Sequence, residues 1–147
     1  MPTECIPDLF GFEAVEGRRV EAAFDGGAVS SDAGALLLGR ADKAIRLLDR
    51  FAACFGDGRS PVAIEHAVRT LVSQRVLGIA LGYEDLLDHD QLRHDPVMAA
   101  VIGKLTPRRK RCAALAGKST LNRMEHAPQG AGDRYRKIIH NGAAIEA

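Results

Sequence analysis

Gly78-Ile-Ala-Leu-Gly-Tyr-Glu-Asp-Leu-Leu-Asp-His-Asp-Gln-Leu-Arg-His-Asp-Pro96 is the stretch on which the reading of this chain turns. An apolar helical pattern runs directly into Asp85, Asp88, His89, Asp90, His94 and Asp95. Such a density of titratable groups is either a site of chemistry or a joint between helices. Metal chemistry requires carboxylates and imidazoles converging on one point. A calcium loop would need polar ligands where Leu86 and Leu87 stand, and a central glycine that is absent. The zinc-protease pattern His-Glu-x-x-His is also missing. The mechanics of a joint are simpler. Asp88 and Asp90 suit a helix start, and Asp95 suits the cap of a helix opened by Pro96. The expectation is therefore a set of cap and turn residues with no metal. A small metal-dependent enzyme using Asp88, His89 and Asp90 is the alternative.

Upstream of this block the pattern is helical. Leu37, Leu38, Ala41, Ile45, Leu48 and Ala52 recur at three- and four-residue spacing, with Ser30 or Ser31 as N-cap. This predicts one helix ending near Phe55, before Gly56-Asp57-Gly58. Ser60-Pro61 predicts a second helix start, followed by Ile64, Val68, Leu71, Val72, Val76 and Ile79 and ended by Gly82. His66 is read as a flank residue of that helix. Further upstream, Arg19-Val-Glu-Ala-Ala-Phe24 alternates, and Asp25-Gly26-Gly27 is a hairpin-type turn. Residues 1–17 show no sustained period.

Downstream, Pro96 to Gly103 reads as a short helix and Pro107-Arg-Arg-Lys-Arg111 as a charged loop. Ala116-Gly-Lys-Ser-Thr120 resembles the end of a phosphate-binding loop, but Cys112 stands where that motif needs glycine, and no clear strand precedes it. Ser119 as the N-cap of a helix through Leu121 and Met124 accounts for the same residues. Ala127 to Gly132 has the composition of a linker, and Arg134-Tyr-Arg-Lys-Ile-Ile-His140 opens a last segment, read as helix.

The totals narrow the classes. At 147 residues the chain is one domain by length. It has no tryptophan and few aromatic residues, which argues against base stacking as a binding mode. It has no membrane-length apolar run, and its start does not resemble a secretion signal. Cys5, Cys54 and Cys112 are dispersed, with no Cys-x-x-Cys pair, which fits a reduced compartment and small semi-buried side chains. The net charge of +1 conceals an asymmetry: residues 1–100 carry 10 basic against 16 acidic side chains, and residues 101–147 carry 10 against 3. Lys104, Arg108, Arg109, Lys110, Arg111, Lys118 and Arg123 form the core of the basic part. Two readings of this set stand side by side, contact with nucleic-acid phosphates and a solvated charged surface.

Four blocks carry a resemblance. Ser30-Ser-Asp-Ala-Gly-Ala-Leu-Leu-Leu38, Gln74-Arg-Val-Leu-Gly-Ile-Ala-Leu-Gly-Tyr-Glu-Asp-Leu-Leu-Asp-His-Asp90, Leu92-Arg-His-Asp-Pro96 and Leu115-Ala-Gly-Lys-Ser-Thr-Leu-Asn-Arg-Met-Glu125 occur in order. Together they resemble the N-terminal region of bacterial insertion-sequence transposases of the group-1 DDE family, over about residues 18–140. The resemblance implies DNA cutting and joining by an RNase H-like core in which three carboxylates hold two metal ions. The first of these lies in a Leu-Asp-x-Asp segment after the matched region, and nothing between Tyr135 and Ala147 supplies it. Asp88 and Asp90 belong to another block and inherit no catalytic role.

The expectation is a mainly α chain with a small N-terminal β-hairpin, the N-terminal part of a transposase with its catalytic core missing. Its divisions are an irregular segment 1–17, a helical region 18–126, and a linker with the start of the core region over 127–147. The resemblance further implies transposon-end DNA as partner, oligomerisation with an intact transposase, and a cytoplasmic, nucleoid-associated location. No cofactor is expected in this chain, the intact family using Mg2+ in the core. Arg108, Arg109, Lys110, Arg111, Lys118 and Arg123 are the candidate DNA contacts, and no catalytic or metal-binding residue is assigned.

Overall fold

The structure, a computed structural model, describes residues 16–17, 30–130 and 137–146. In chain order it comprises α1 (Ala35–Ile45), α2 (Leu47–Ala52), β1 (Phe55–Asp57), α3 (Val68–Ala80), a 3-10 turn (Leu86–Asp88), α4 (His89–Leu92), α5 (Pro96–Ile102), α6 (Lys118–Glu125), β2 (Ile138–His140) and α7 (Gly142–Glu146). The chain is mostly helical, as expected. The expected hairpin near residues 19–30 lies outside the described residues. The sheet that is seen joins β1 to β2 antiparallel, with Gly56 opposite Ile139. Thus 138–140 is strand rather than helix, and it ties this late segment to the helical region. Ile138 is buried in the same cluster as Leu71, Leu121 and Ala127.

The single helix expected over the first apolar stripe is two helices. Arg46 sits in the left-handed region at φ 54, a conformation that costs a non-glycine residue about 1–2 kcal/mol. Asp42 explains the break. Its carbonyl accepts from Arg46 N–H, and its carboxylate accepts the Leu48 N–H at 2.8 Å, capping α2. The stripe is displaced too. Leu37 and Ile45 are 73% and 59% exposed, while Ala35 is buried and Leu38 packs on the second cluster. Gly39 lies close against α5, where a Cβ would stand 2.7 Å from Val101 Cγ1.

The second long helix begins at Val68 rather than Pro61. The carbonyls that would open it are held by cationic side chains instead. Arg108 Nη1 donates to Pro61 and Ile64 at 3.0 and 3.1 Å, and Arg109 Nη2 donates to Ala63 at 2.9 Å. Lys104 Nζ donates to Glu65, and Arg59 Nη2 donates to His66 at 2.9 Å. A loop of turns and bends whose acceptors are satisfied from outside has no need of a helical ladder. At its far end α3 finishes at Ala80, and Gly82 turns the chain at φ 97, where only glycine is unstrained.

The core has two adjoining parts. One centres on Leu71, Val72, Leu121 and Met124. The other centres on Leu77, Met98, Ile102 and Leu115. Val76 touches both, so α3 is the shared wall. Among the described residues, no helix is long and apolar enough to cross a membrane. Cys54 and Cys112 are free and half-buried, as expected for small semi-buried side chains; Cys5 lies outside the described residues.

Candidate nucleic-acid interface

The acidic block is a joint. Asp85 accepts the Leu87 N–H at 2.8 Å, and Asp95 accepts the Met98 N–H at 2.7 Å with Pro96 at the first helical position. Both are caps built by local sequence. Asp88 makes no such bond at the start of α4. Asp90 caps a different helix. Its Oδ1 accepts the N–H of Lys118, the first residue of α6, at 3.1 Å. Its Oδ2 lies 3.4 Å from Lys118 Nζ. The N-cap residue of α6 is Gly117, not Ser119, and it contributes no side-chain bond of its own. A Cβ at Gly117 would stand 2.8 Å from Asp90 Oδ1, so a larger residue would displace the carboxylate. The backbone N–H of Lys118, above all, holds the Asp90 carboxyl below its ordinary value.

His89 is neither cap nor exposed ligand. It is fully buried against α3, its Cε1 2.7 Å from where a Cβ on Gly78 would sit. Gln74 Nε2 donates to its Nδ1 at 3.2 Å. Gln74 also holds Ala116 from both sides, Nε2 donating to the carbonyl and Oε1 accepting the N–H. That pairing fixes the amide's orientation and so the neutral His89 tautomer, with the proton on Nε2. Burial, aided by the nearby Arg75 charge, pushes the His89 pKa down. In the sequence Gln74 stands in the polar triplet Ser73-Gln74-Arg75, and nothing there marks this bridge.

His66 also differs from its expected place on a helix flank. It precedes α3 and is buried, with Lys104 Nζ donating to its Nδ1 at 3.0 Å. Burial first, and then the Lys104 charge, push its pKa down to about 4. Burial alone would push the carboxyl of Glu65 up. The N–H of Arg108 at 2.6 Å and the Lys104 ammonium at 3.1 Å outweigh that and hold it below its ordinary value.

The candidate basic residues separate into two groups. Arg108 and Arg109 spend their guanidinium groups on the 61–64 loop. Lys110 and Arg111 are exposed in the same loop, and Lys118 and Arg123 are exposed on α6. Helix α6 is firmly held beneath that exposed face. Leu121 and Met124 are buried, and at its far end Glu125 pairs with Arg75. Arg75 itself is fixed by donating to the carbonyls of Tyr83 and Glu84 at 3.1 and 2.7 Å.

The block also lines a polar cleft, where Tyr83 Oη donates to Asp32 at 3.0 Å across from Asp88, His94 and Asp95. The hydrogen bond to Asp32 pushes the Tyr83 phenol up. Among the described residues, no three His, Cys, Asp or Glu side chains gather as metal ligands. Asp88, His89 and Asp90 therefore form no such set, and the described acidic groups are not gathered as a two-metal centre requires.

Against known proteins, a family model described as "Transposase DDE domain group 1" matches residues 12–141. No curated protein and no solved structure matches the chain.

Proposed function

Because this chain belongs to the transposase DDE domain group 1 family, we propose that it serves transposition as a DNA-contacting region without strand-transfer activity of its own. The observation that carries this reading is the division of labour among its charges. The basic part presents Lys110, Arg111 and Arg123 to solvent on a loop and on a braced helix, with Lys118 exposed beside Asp90. Many of the described acidic side chains, by contrast, are engaged within the protein. Asp32 is bound by Tyr83, Asp42 by Leu48 N–H and Asp49 by Arg69. Asp57 is bound by Arg59, Glu65 by Lys104, Asp90 by Lys118 and Glu125 by Arg75. Carboxylates committed to caps and ion pairs are poorly placed to hold two catalytic metal ions, which need them converging on a rigid frame. Exposed lysine and arginine groups are suited to neutralising DNA phosphates and releasing counterions.

Transposon-end DNA is the proposed partner. A further transposase chain is a second, for which the exposed apolar face of α1 at Leu37 and Ile45 offers contact area. The test is duplex DNA binding across a salt series. Affinity is expected to fall by about 0.9 log units per tenfold salt for each phosphate engaged. Neutralising Lys110, Arg111, Lys118 and Arg123 together is expected to flatten that slope, and an unchanged slope would refute the reading. Metal-dependent nicking by the purified chain, lost on an acidic-to-alanine change within it, would refute the claim of catalytic silence.

A further inference from the structure

We infer that the outward face of α6 reads base sequence in the major groove, through Asn122 and Arg123 with Ser119 beside them. The inference rests on the DNA-contact reading above and goes beyond it, from phosphate contact to base discrimination.

Four restraints hold α6 from the protein side. Leu121 and Met124 anchor it in the core. Asp90 binds its first N–H, Gln74 fixes Ala116 just before it, and Arg75 holds Glu125 at its end. Each restraint comes from another element, so the helix axis is set independently of any ligand. What remains outside is one side of the helix, bearing Ser119, Asn122 and Arg123, all exposed. Helical spacing places 119, 122 and 123 together and opposite 121 and 124. No large apolar side chain lies on that side, which argues against a protein-packing face.

The side-chain chemistry is selective. A carboxamide pairs in bidentate fashion with adenine, and a guanidinium does so with guanine. A hydroxyl donates or accepts on either. At eight residues the helix is about 12 Å long, comparable to the roughly 12 Å width of the major groove. Lys118 at one end, and Lys110 and Arg111 in the preceding loop, supply charge for the flanking phosphates. Because the helix axis is already set by the core, docking costs only the rotamer freedom of the exposed side chains and not the ordering of the helix.

Selection from a randomised duplex library tests this. The purified chain, Asn122→Ala, Arg123→Lys and the double change Lys110→Ala/Arg111→Ala are compared. The parent is expected to enrich a short motif. Asn122→Ala and Arg123→Lys are each expected to relax one or two positions of it, lowering the ratio of affinities for selected over scrambled DNA about tenfold. Arg123→Lys keeps the charge and removes only the planar fork. The Lys110/Arg111 change is expected to weaken binding to all sequences alike. A parent that binds DNA but enriches no motif would overturn the inference while leaving the DNA-contact reading intact, as would a motif unaffected by both α6 changes. Absence of DNA binding by the parent would overturn both. Circular dichroism of each variant checks that the exposed substitutions leave the fold unchanged.

Discussion

Gln74 holds the main chain of Ala116 as a neighbouring strand would, donating to its carbonyl at 2.7 Å and accepting its N–H at 2.9 Å. The two residues are 42 positions apart, and all four groups are buried. Through this pair, α3 positions the start of α6, and the outward face of α6 inherits that rigidity.

Gln74→Ala removes both bonds and leaves a buried carbonyl and N–H without partners. An unsatisfied buried group costs about 1–3 kcal/mol, so urea unfolding is expected to show a loss of roughly 2–4 kcal/mol. A loss below about 0.5 kcal/mol, the range of an ordinary surface change, would show that water or backbone adjustment replaces the amide. Gly78→Ala attacks the same joint from the other side. Its Cβ meets the His89 ring, and overpacking of this kind costs about 1–3 kcal/mol.

Stability is expected to depend on pH between neutrality and pH 4. His66 and His89 are both held below their ordinary value of 6.5. As pH falls through 6.5, the unfolded chain takes up protons that the folded chain refuses. The stabilisation is complete above that pH and is progressively lost below it. For His66 the loss ends near pH 4, where the folded protein also protonates, and amounts to at most about 3 kcal/mol. His66→Asn keeps an acceptor for Lys104 and does not titrate. Its unfolding free energy between pH 7 and 5 is expected to vary less than that of the parent. An identical pH profile would place the dependence elsewhere.

The two halves of the basic loop are expected to part company on mutation. Arg108→Ala with Arg109→Ala releases three carbonyls of the 61–64 loop. It is expected to cost about 1–3 kcal/mol in urea unfolding, at roughly 1 kcal/mol per hydrogen bond. Lys110→Ala with Arg111→Ala touches exposed groups and is expected to stay within about 0.5 kcal/mol, while weakening DNA binding. Equal stability losses in the two pairs would remove the distinction.

Asp90→Ala is expected to speed hydrogen exchange at the Lys118 amide, whose acceptor it removes, with amides in the middle of α3 unchanged. Asp90→Asn, which keeps an acceptor oxygen, is expected to retain most of the protection. No change at Lys118 in either variant would show that α6 is capped by water.

Core and surface leucines provide the last contrast. Leu71, fully buried in the first cluster, is expected to cost about 2–5 kcal/mol on change to Ala. Leu37, 73% exposed, is expected to cost less than about 0.5 kcal/mol, although periodicity alone placed both in the core. Comparable losses would restore the stripe read from sequence.

The features legible in the sequence are those set within one or two turns of chain. The apolar spacing of Val68, Leu71 and Val72 forms α3, Gly82 ends it in a left-handed turn, and Asp95-Pro96 starts α5 with its own cap. Family membership was legible too, from four blocks in order. These signals are local because helical hydrogen bonds and caps join residues at most four positions apart. What only the tertiary structure decided is which distant group answers each polar atom. Pro61 does not open a helix, because Arg108, 47 positions away, takes its carbonyl. His89 is core rather than ligand because α3 carries glycine at 78, opposite its ring. Asp90 caps α6 and not its own helix. Phe55–Asp57 becomes a strand only because Ile138–His140 arrives beside it. A polar side chain's partner depends on which part of the chain packing brings near, and periodicity in a single sequence carries no record of that.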